Sequence, residues 1–293
     1  MEEVTYDAAS NTFEGQLADG LPQVMWHVTD RCPLSCPYCF ATKSEVDFPE
    51  SLIPDTVDAL RRLGVLKIDI GGGEPLVFPH LGAVLDRAEQ RGIAVTLTTS
   101  GTGSRSVSDW LIANAARFSR IILSLDGHAD LHDELRGREG TFRSLSELAH
   151  RLRDAGQSGF RVNTVVTPHL EPERAIDLTV DAVRALGPAE WCLIQPHPAN
   201  KKASWDSFWV DDERFQVLLG AARALSSAEA WSVIHRTRAD YSGYWVLYPE
   251  GRLRPHTDDE ADGPGFDLLE TAPERGKAAV QAVSVSLPRR QGN

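Results

Sequence analysis

"QVMWHVTDRCPLSCPYCF" (residues 23–40) begins as a run of β-branched and aromatic residues and breaks into a loop with three cysteines. That run predicts a strand over residues 23–29. Cys32, Cys36 and Cys39 then fall just past its carboxyl end, where parallel α/β architectures bind ligands. The chain has four cysteines, and the fourth, Cys192, lies far away in an apolar run. Two disulfides would need it, so three clustered thiols point to a metal site instead. Structural zinc sites take four ligands, often as two C-x-x-C pairs, and here the spacing is C-x3-C-x2-C with no second pair. His27 is a formal fourth ligand for zinc, but its place on the strand points it into the sheet's interior. Three thiolates on an iron–sulfur cubane leave one iron without a protein ligand, open to a second molecule. Zinc and cluster both stand as readings of these cysteines alone.

Outward from this stretch, short β-branched runs alternate with amphipathic helical ones. Strands are expected at 23–29, 66–70, 94–99, 120–126, 160–166 and 190–195. Helical spacing marks "PDTVDALRRLG", "HLGAVLDRAEQRG", "GTFRSLSELAHRLRDAG", "PERAIDLTVDAVRALG" and "DDERFQVLLGAARAL". Six strand-then-helix units predict an α/β fold, a partial (β/α)6 TIM-type barrel with a short C-terminal extension. The expected division is an N-terminal arm at 1–22, the barrel at 23–230, an extension closing the barrel at 231–270, and a loosely ordered tail at 271–293. Within the extension, "WSVIHRT" and "GYWVLYPEGRLRPH" read as strands, the latter folded as a hairpin at Pro249-Glu250-Gly251.

A net charge of −12 opposes binding to nucleic-acid backbone or anionic lipid, and no dense basic patch stands out in the linear sequence. No apolar run approaches the roughly 20 residues that span a bilayer. The N-terminus, "MEEVTYDAASNTFEG", is acidic and polar, unlike a signal peptide. A cytoplasmic enzyme with neither membrane nor nucleic-acid partners is the expectation, and reducing conditions suit thiolate-bound metal.

After the second strand comes "KIDIGGGEPL" (67–76), where glycines permit close backbone approach and Glu74 supplies a carboxylate suited to an ammonium group. Together with the cysteine loop one βα unit earlier, this segment resembles the radical S-adenosylmethionine (radical SAM) superfamily over about residues 22–196. The resemblance implies a [4Fe–4S] cluster on Cys32, Cys36 and Cys39, and S-adenosylmethionine (SAM) as cofactor, with Gly72, Gly73 and Glu74 receiving its amino group. It further implies reductive SAM cleavage to a 5′-deoxyadenosyl radical, fed by an external one-electron reductant of the flavodoxin or ferredoxin type. Tyr38 would lie near the adenine, and Ser100, Ser124 and Asp126 would line the SAM pocket. Arg136 or Arg138, in "LRGREG", would pair with the SAM carboxylate.

The second half resembles the viperin-like branch of that superfamily. "WHVTDRC", "RVNTVVT", "EWCLIQP", "FWVDDERFQVLL" and "GYWVLYPEGRLRP" carry the likeness. It implies a nucleotide substrate, faced by Asn163, Gln195 and Arg252. The lysine that follows the tryptophan in that branch is Cys192 here, the asparagine after the first cysteine is Pro33, and the membrane helix is missing. Near the sixth loop the sequence offers only Lys201 and Lys202 as cations. A peptide or other natural-product precursor is therefore the alternative substrate, which the aromatic segment "SWDSFW" (204–209) would suit.

Overall fold

Seven strands that follow one another in the chain lie side by side and parallel, which is possible only because a helical connection returns the chain after each. The computed structural model describes residues 5–7, 12–14, 21–39, 41, 43–170, 175–196, 205–240, 244–256 and 265–286. A hairpin of β1 (Thr5–Asp7) and β2 (Thr12–Glu14) comes first. The barrel runs through β3 (Gln23–Thr29), α1 (Ile53–Arg62), β4 (Lys67–Gly72), α2 (Leu81–Gln90), β5 (Ala94–Thr99) and α3 (Arg105–Asn114). It continues through β6 (Arg120–Ser124), α4 (Ala129–Arg136), α5 (Thr141–Asp154), β7 (Arg161–Val165), α6 (Ala175–Leu186), β8 (Glu190–Ile194), α7 (Asp212–Leu225) and β9 (Ser232–Arg236). The chain then adds β10 (Trp245–Leu247), β11 (Arg252–Pro255), β12 (Phe266–Asp267) and α8 (Pro273–Ser286).

The sheet order is β12-β11-β10-β3-β4-β5-β6-β7-β8-β9, so the sheet ends on two different strands and does not close on itself. This is the expected partial barrel with one strand more. β9 was placed in the extension by its sequence, yet it pairs parallel to β8 from Glu190↔Ser232 to Ile194↔Arg236. α7 turns the chain back in the same sense as the earlier units, and β9 completes the pattern. At the other edge β10 pairs parallel to β3, and β10–β11 form the expected hairpin, with Gly251 at φ +85° in its turn.

Helix ends follow local chemistry. Ser104 caps α3, a helix absent from the sequence expectation, by accepting from Val107 N at 3.4 Å. Asp211 caps α7 through Arg214 N at 2.8 Å. Asp133 accepts from Gly140 N, Thr141 Oγ1 and Phe142 N at 2.6–2.7 Å, satisfying donors at the start of α5.

Two further differences concern the ends of the chain. The tail read as loosely ordered includes α8, whose Val280 is buried and whose Gly276 packs on Leu63 at the end of α1. Residues 257–264, Lys201 and Lys202 lie outside the described residues. In the N-terminal arm, Tyr6 packs on Phe13, hydrogen-bonds Ser119 and sits under Lys67 Nζ at 5.6 Å. The hairpin thus lies against the amino ends of β4 and β6.

Strand alternation sorts the side chains. Val24, Trp26, Ile68, Val95, Leu97, Leu123, Val162, Trp191 and Leu193 are buried in the core cluster with Leu60, Leu85, Leu148 and Val183 from the helices. The alternate positions Met25, His27, Lys67, Asp69, Thr96, Thr98, Arg120, Ser124, Arg161 and Asn163 line a cavity inside the barrel. Trp191, fully buried, also donates Nε1–H to Thr164 Oγ1 at 2.8 Å, and that hydroxyl donates to Leu125 O at 2.6 Å. Trp191→Ala is expected to cost about 3–5 kcal/mol of unfolding free energy, measurable as a lowered urea midpoint with little change in slope.

Candidate active site

The two motif loops meet because two glycines let them. Gly73 N donates to Thr29 O at 2.7 Å and Glu74 N to Arg31 O at 2.8 Å, fastening the β4 loop to the start of the cysteine loop. A Cβ on Gly73 would stand 2.1 Å from Arg31 O, and one on Gly72, at φ +111°, 2.5 Å from Thr29 O. Any side chain would push the loops apart. Arg31 braces the junction, donating to Asp47 Oδ1 at 2.9 Å and Val77 O at 3.1 Å. Cys39 N donates to Cys36 O at 3.2 Å, and Cys32, Cys36 and Cys39 all reach the barrel cavity.

Glu74 is buried at the bottom of this junction. Its Oε1 accepts from Leu76 N at 3.1 Å and from Thr99 Oγ1, and its Oε2 from Ser100 N at 2.8 Å and Ser100 Oγ at 2.5 Å. Burial raises its pKa, and these donors oppose that shift. Four donors match the carboxylate's capacity, but two are hydroxyls that rotate, so a ligand ammonium can take their place.

Asp126, at the end of β6, holds a second network. Its Oδ1 accepts from Val165 N at 2.9 Å; its Oδ2 accepts from Tyr38 OH and pairs with Arg136 Nη2 at 2.6 Å. Arg136 Nη1 also reaches Cys36 Sγ at 3.9 Å. Tyr38 is therefore anchored by its hydroxyl, with its ring 5.5 Å from that of Phe208. Ser124 lines the cavity beside Asn163, its register partner on β7. Arg138 is exposed and does not line the cavity, since the left-handed Gly137 ends α4 and turns the chain outward.

The substrate-facing expectations separate. Asn163 lines the cavity with its Oδ1 buried and without a hydrogen-bond partner, an acceptor left for a ligand. Gln195 borders the cavity, but its amide is engaged: Nε2 donates to Asp212 Oδ1 at 2.8 Å, and Oε1 accepts from Arg238 N at 3.1 Å. Arg252 does not line the cavity. It lies exposed on β11, donates to Gly265 O at 3.0 Å and is absent from the cavity wall, because the hairpin's alternation turns it outward. Cys192 is buried beside Asn163 in the register, and its thiol pKa is raised by burial.

The cavity measures about 300 Å³ and has a basic floor. Lys67, Arg120 and Arg161, each the first residue of its strand, face it, while Arg236, the last residue of β9, lines the cavity at its opposite, carboxyl end. Lys67 pairs with Asp69 at 3.1 Å, while Arg120 and Arg161 share Glu190. The three floor cations thus share Asp69 and Glu190. The linear sequence hides this cluster because its members are far apart in the chain. A basic residue opening each of "KIDI", "RIILS" and "RVNTV" was the available signal.

The donor set fits an iron–sulfur cluster. Among the described residues no three His, Cys, Asp or Glu side chains are arranged to hold one metal ion. Tetrahedral zinc needs its thiolates about 2.3 Å from a single centre, whereas a cubane gives each thiolate its own iron. Three thiols that line one cavity suit the latter. Burial pushes the Cys32 thiol up to about 11 and raises that of Cys36, so ligation must release protons. His27, which also lines the cavity, is lowered to about 4 by burial and by His256, which leaves it neutral near pH 7.

Gly73→Ala is expected to displace the cysteine loop, lowering stability by about 1–3 kcal/mol and cutting iron content after reconstitution. Gly159→Ala, whose added Cβ meets nothing within 4 Å and whose φ, like that of Gly73, is not in the left-handed region, is the control: it adds a methyl group without touching the loop. Equal iron loss in both variants would show that close approach at Gly73 does not matter.

The radical SAM superfamily profile matches residues 26–182. Pre-heme d1 synthase of Dinoroseobacter shibae is 28% identical over 223 residues, 73% of this chain and 54% of that protein. GTP 3′,8-cyclase of Streptomyces coelicolor is 31% identical over 188 residues, 61% of this chain and 54% of the cyclase. The chain thus spans about half the length of these curated relatives. In fold it is similar to Streptococcus suis SuiB bound to its precursor peptide SuiA, with a TM-score of 0.70 at 16% identity over 88% of this chain and 65% of SuiB. With more than half of the chain matched, and both motif loops inside the matched span, the protein belongs to the radical SAM superfamily.

Proposed function

We propose that this protein reductively cleaves SAM at a single [4Fe–4S] cluster and abstracts hydrogen from a small anionic molecule, a nucleotide by the viperin-like resemblance, held in the barrel cavity. The observation that carries the reading is one cavity with the three cysteines and Glu74 at its mouth and Lys67, Arg120 and Arg161 at its floor. Members of the superfamily combine such a cluster with SAM, and when bound they supply the 5′-deoxyadenosyl radical. In this chain Cys32, Cys36 and Cys39 would hold the cluster, with a flavodoxin- or ferredoxin-type protein supplying one electron. Glu74 would receive the SAM ammonium, with Ser100 and Thr99 turning their hydroxyls to make room, and Gly72 and Gly73 would let the cofactor approach the backbone. Asn163 Oδ1 would accept from a substrate O–H or N–H. The floor would hold an anionic group at the far end, since Arg and Lys in a site shielded from water bind phosphate or carboxylate strongly. The name of the S. coelicolor relative, which acts on GTP, supports a nucleotide.

A peptide is the second reading, favoured by the fold shared with peptide-bound SuiB. An acidic side chain or a C-terminal carboxylate would then occupy the floor.

Anaerobically reconstituted protein given dithionite is expected to release 5′-deoxyadenosine and methionine from SAM. Alanine at Cys32, Cys36 or Cys39 should abolish both this activity and the brown chromophore, while Cys192→Ala should keep them. Glu74→Gln should weaken SAM binding at least tenfold, as loss of a charge-assisted contact typically costs about 1.5–3 kcal/mol. S-adenosylhomocysteine as the sole product would refute the radical reading.

For the substrate, a nucleoside triphosphate should raise 5′-deoxyadenosine formation above the unstimulated rate and pass ribose deuterium into it. Arg161→Gln should raise the nucleotide KM about tenfold or more while leaving SAM binding intact. A ribonucleotide panel giving neither stimulation nor transfer, beside acidic peptides that give both, would move the reading to peptide.

A further inference from the structure

One buried guanidinium connects the cysteine loop to Asp126, two residues past the end of β6. Arg136 closes α4 with its side chain 12% exposed, Nη2 on Asp126 Oδ2 and Nη1 directed at Cys36 Sγ. Its Nε–H is buried with no partner. We propose that Arg136 acts through Cys36 to raise the reduction potential of the cluster, with Asp126 holding the guanidinium in place. This rests on the cluster reading above.

The physical case has three parts. First, a cation donating to a ligand sulfur stabilises whichever cluster state carries the extra negative charge, which is the reduced one. The electron comes from an external one-electron reductant, no bond is made or broken, and Arg136 keeps its protons throughout. Second, burial makes the effect large, because field lines between guanidinium and sulfur run through protein rather than water. Asp126 has the opposite sign, but it meets the guanidinium on Nη2 while Nη1 faces the sulfur, so the cation is the nearer charge. Asp126 is itself fixed from two other sides, by Val165 N and Tyr38 OH. Third, the cysteine loop does not need this side chain for its position. Ser35 N donates to Arg136 O at 3.1 Å and Ser35 Oγ to Gly137 O at 3.4 Å, both backbone acceptors. The guanidinium is therefore separable from the clamp that carries it.

The test is a redox titration of the reconstituted full-length protein, following the EPR signal of the reduced cluster, with iron and sulfide measured on each sample. Arg136→Gln should lower the reduced-to-oxidised ratio at a fixed solution potential at least tenfold, about 59 mV for a one-electron couple. Arg136→Lys, which keeps the charge, should restore most of that ratio. Asp126→Asn, whose side-chain oxygen can still accept from Nη2 and keep the guanidinium in place, should move the ratio the other way, because only the opposing charge is removed. Arg136→Gln with wild-type iron content and an unmoved midpoint would overturn the proposal. If that variant assembles no cluster, an Asp126→Asn midpoint that is unchanged or more negative would overturn it instead. Wild-type protein that takes up no iron or sulfide would overturn the parent reading, a failure visible before any potential is measured.

Discussion

The hydrogen bonds from Gly73 N to Thr29 O and from Glu74 N to Arg31 O bring together the two loops on which the rest of the site depends. They require two backbones to approach more closely than any side chain allows, and the sequence meets that requirement with glycine at 72 and 73. Once the loops touch, the cysteines and the Glu74 carboxylate share one mouth. Had either position carried a Cβ, the strands would still pair, but the thiols and the carboxylate would be separated. A local steric condition thus governs whether the barrel has a candidate cofactor site at all.

Below that mouth the barrel departs from a filled apolar interior. Layers of branched aliphatic side chains commonly occupy a barrel's centre. Here Lys67, Asp69, Thr96, Arg120, Arg161 and Asn163 face inward, and the apolar residues face the helices. Buried charges cost several kcal/mol each unless paired, and here Lys67 pairs with Asp69 while Arg120 and Arg161 share Glu190. Tyr6 of the N-terminal hairpin covers the amino ends of β4 and β6, so the arm shields this floor from bulk water. An anionic ligand group would meet these cations from the cavity side. Stability invested in ion pairs and ligand-dependent charge is the expected signature of a binding chamber.

The Asp126 network shows how a single carboxylate can serve several elements. It ties β7 through Val165, the cysteine loop through Tyr38 and the end of α4 through Arg136. His132, neutral because burial lowers it to about 4, accepts the Asp126 N–H on Nδ1 at 3.1 Å, so its remaining proton sits on Nε2. The groups near Cys36 are thus held by neighbours that are themselves held, which leaves little freedom for a ligand thiol to wander.

By itself the sequence determined the order of βα units, the cysteine loop at the end of β3, the Gly-Gly-Glu-Pro turn after β4 and the hairpin at Gly251. These are set by residues close in the chain: strand period, glycine and proline positions, and short ligand spacings. Only the tertiary structure decided the rest. It separated Arg136, turned inward onto Asp126, from Arg138, two residues later and exposed. It moved Arg252 to the outside, engaged the Gln195 amide within the protein, put β9 into the barrel and gathered Lys67, Arg120, Arg161 and Arg236 around one space. Which way a side chain points depends on a register that shifts by a face with every residue. Which charges become neighbours depends on a curved sheet bringing together strands that lie tens of residues apart.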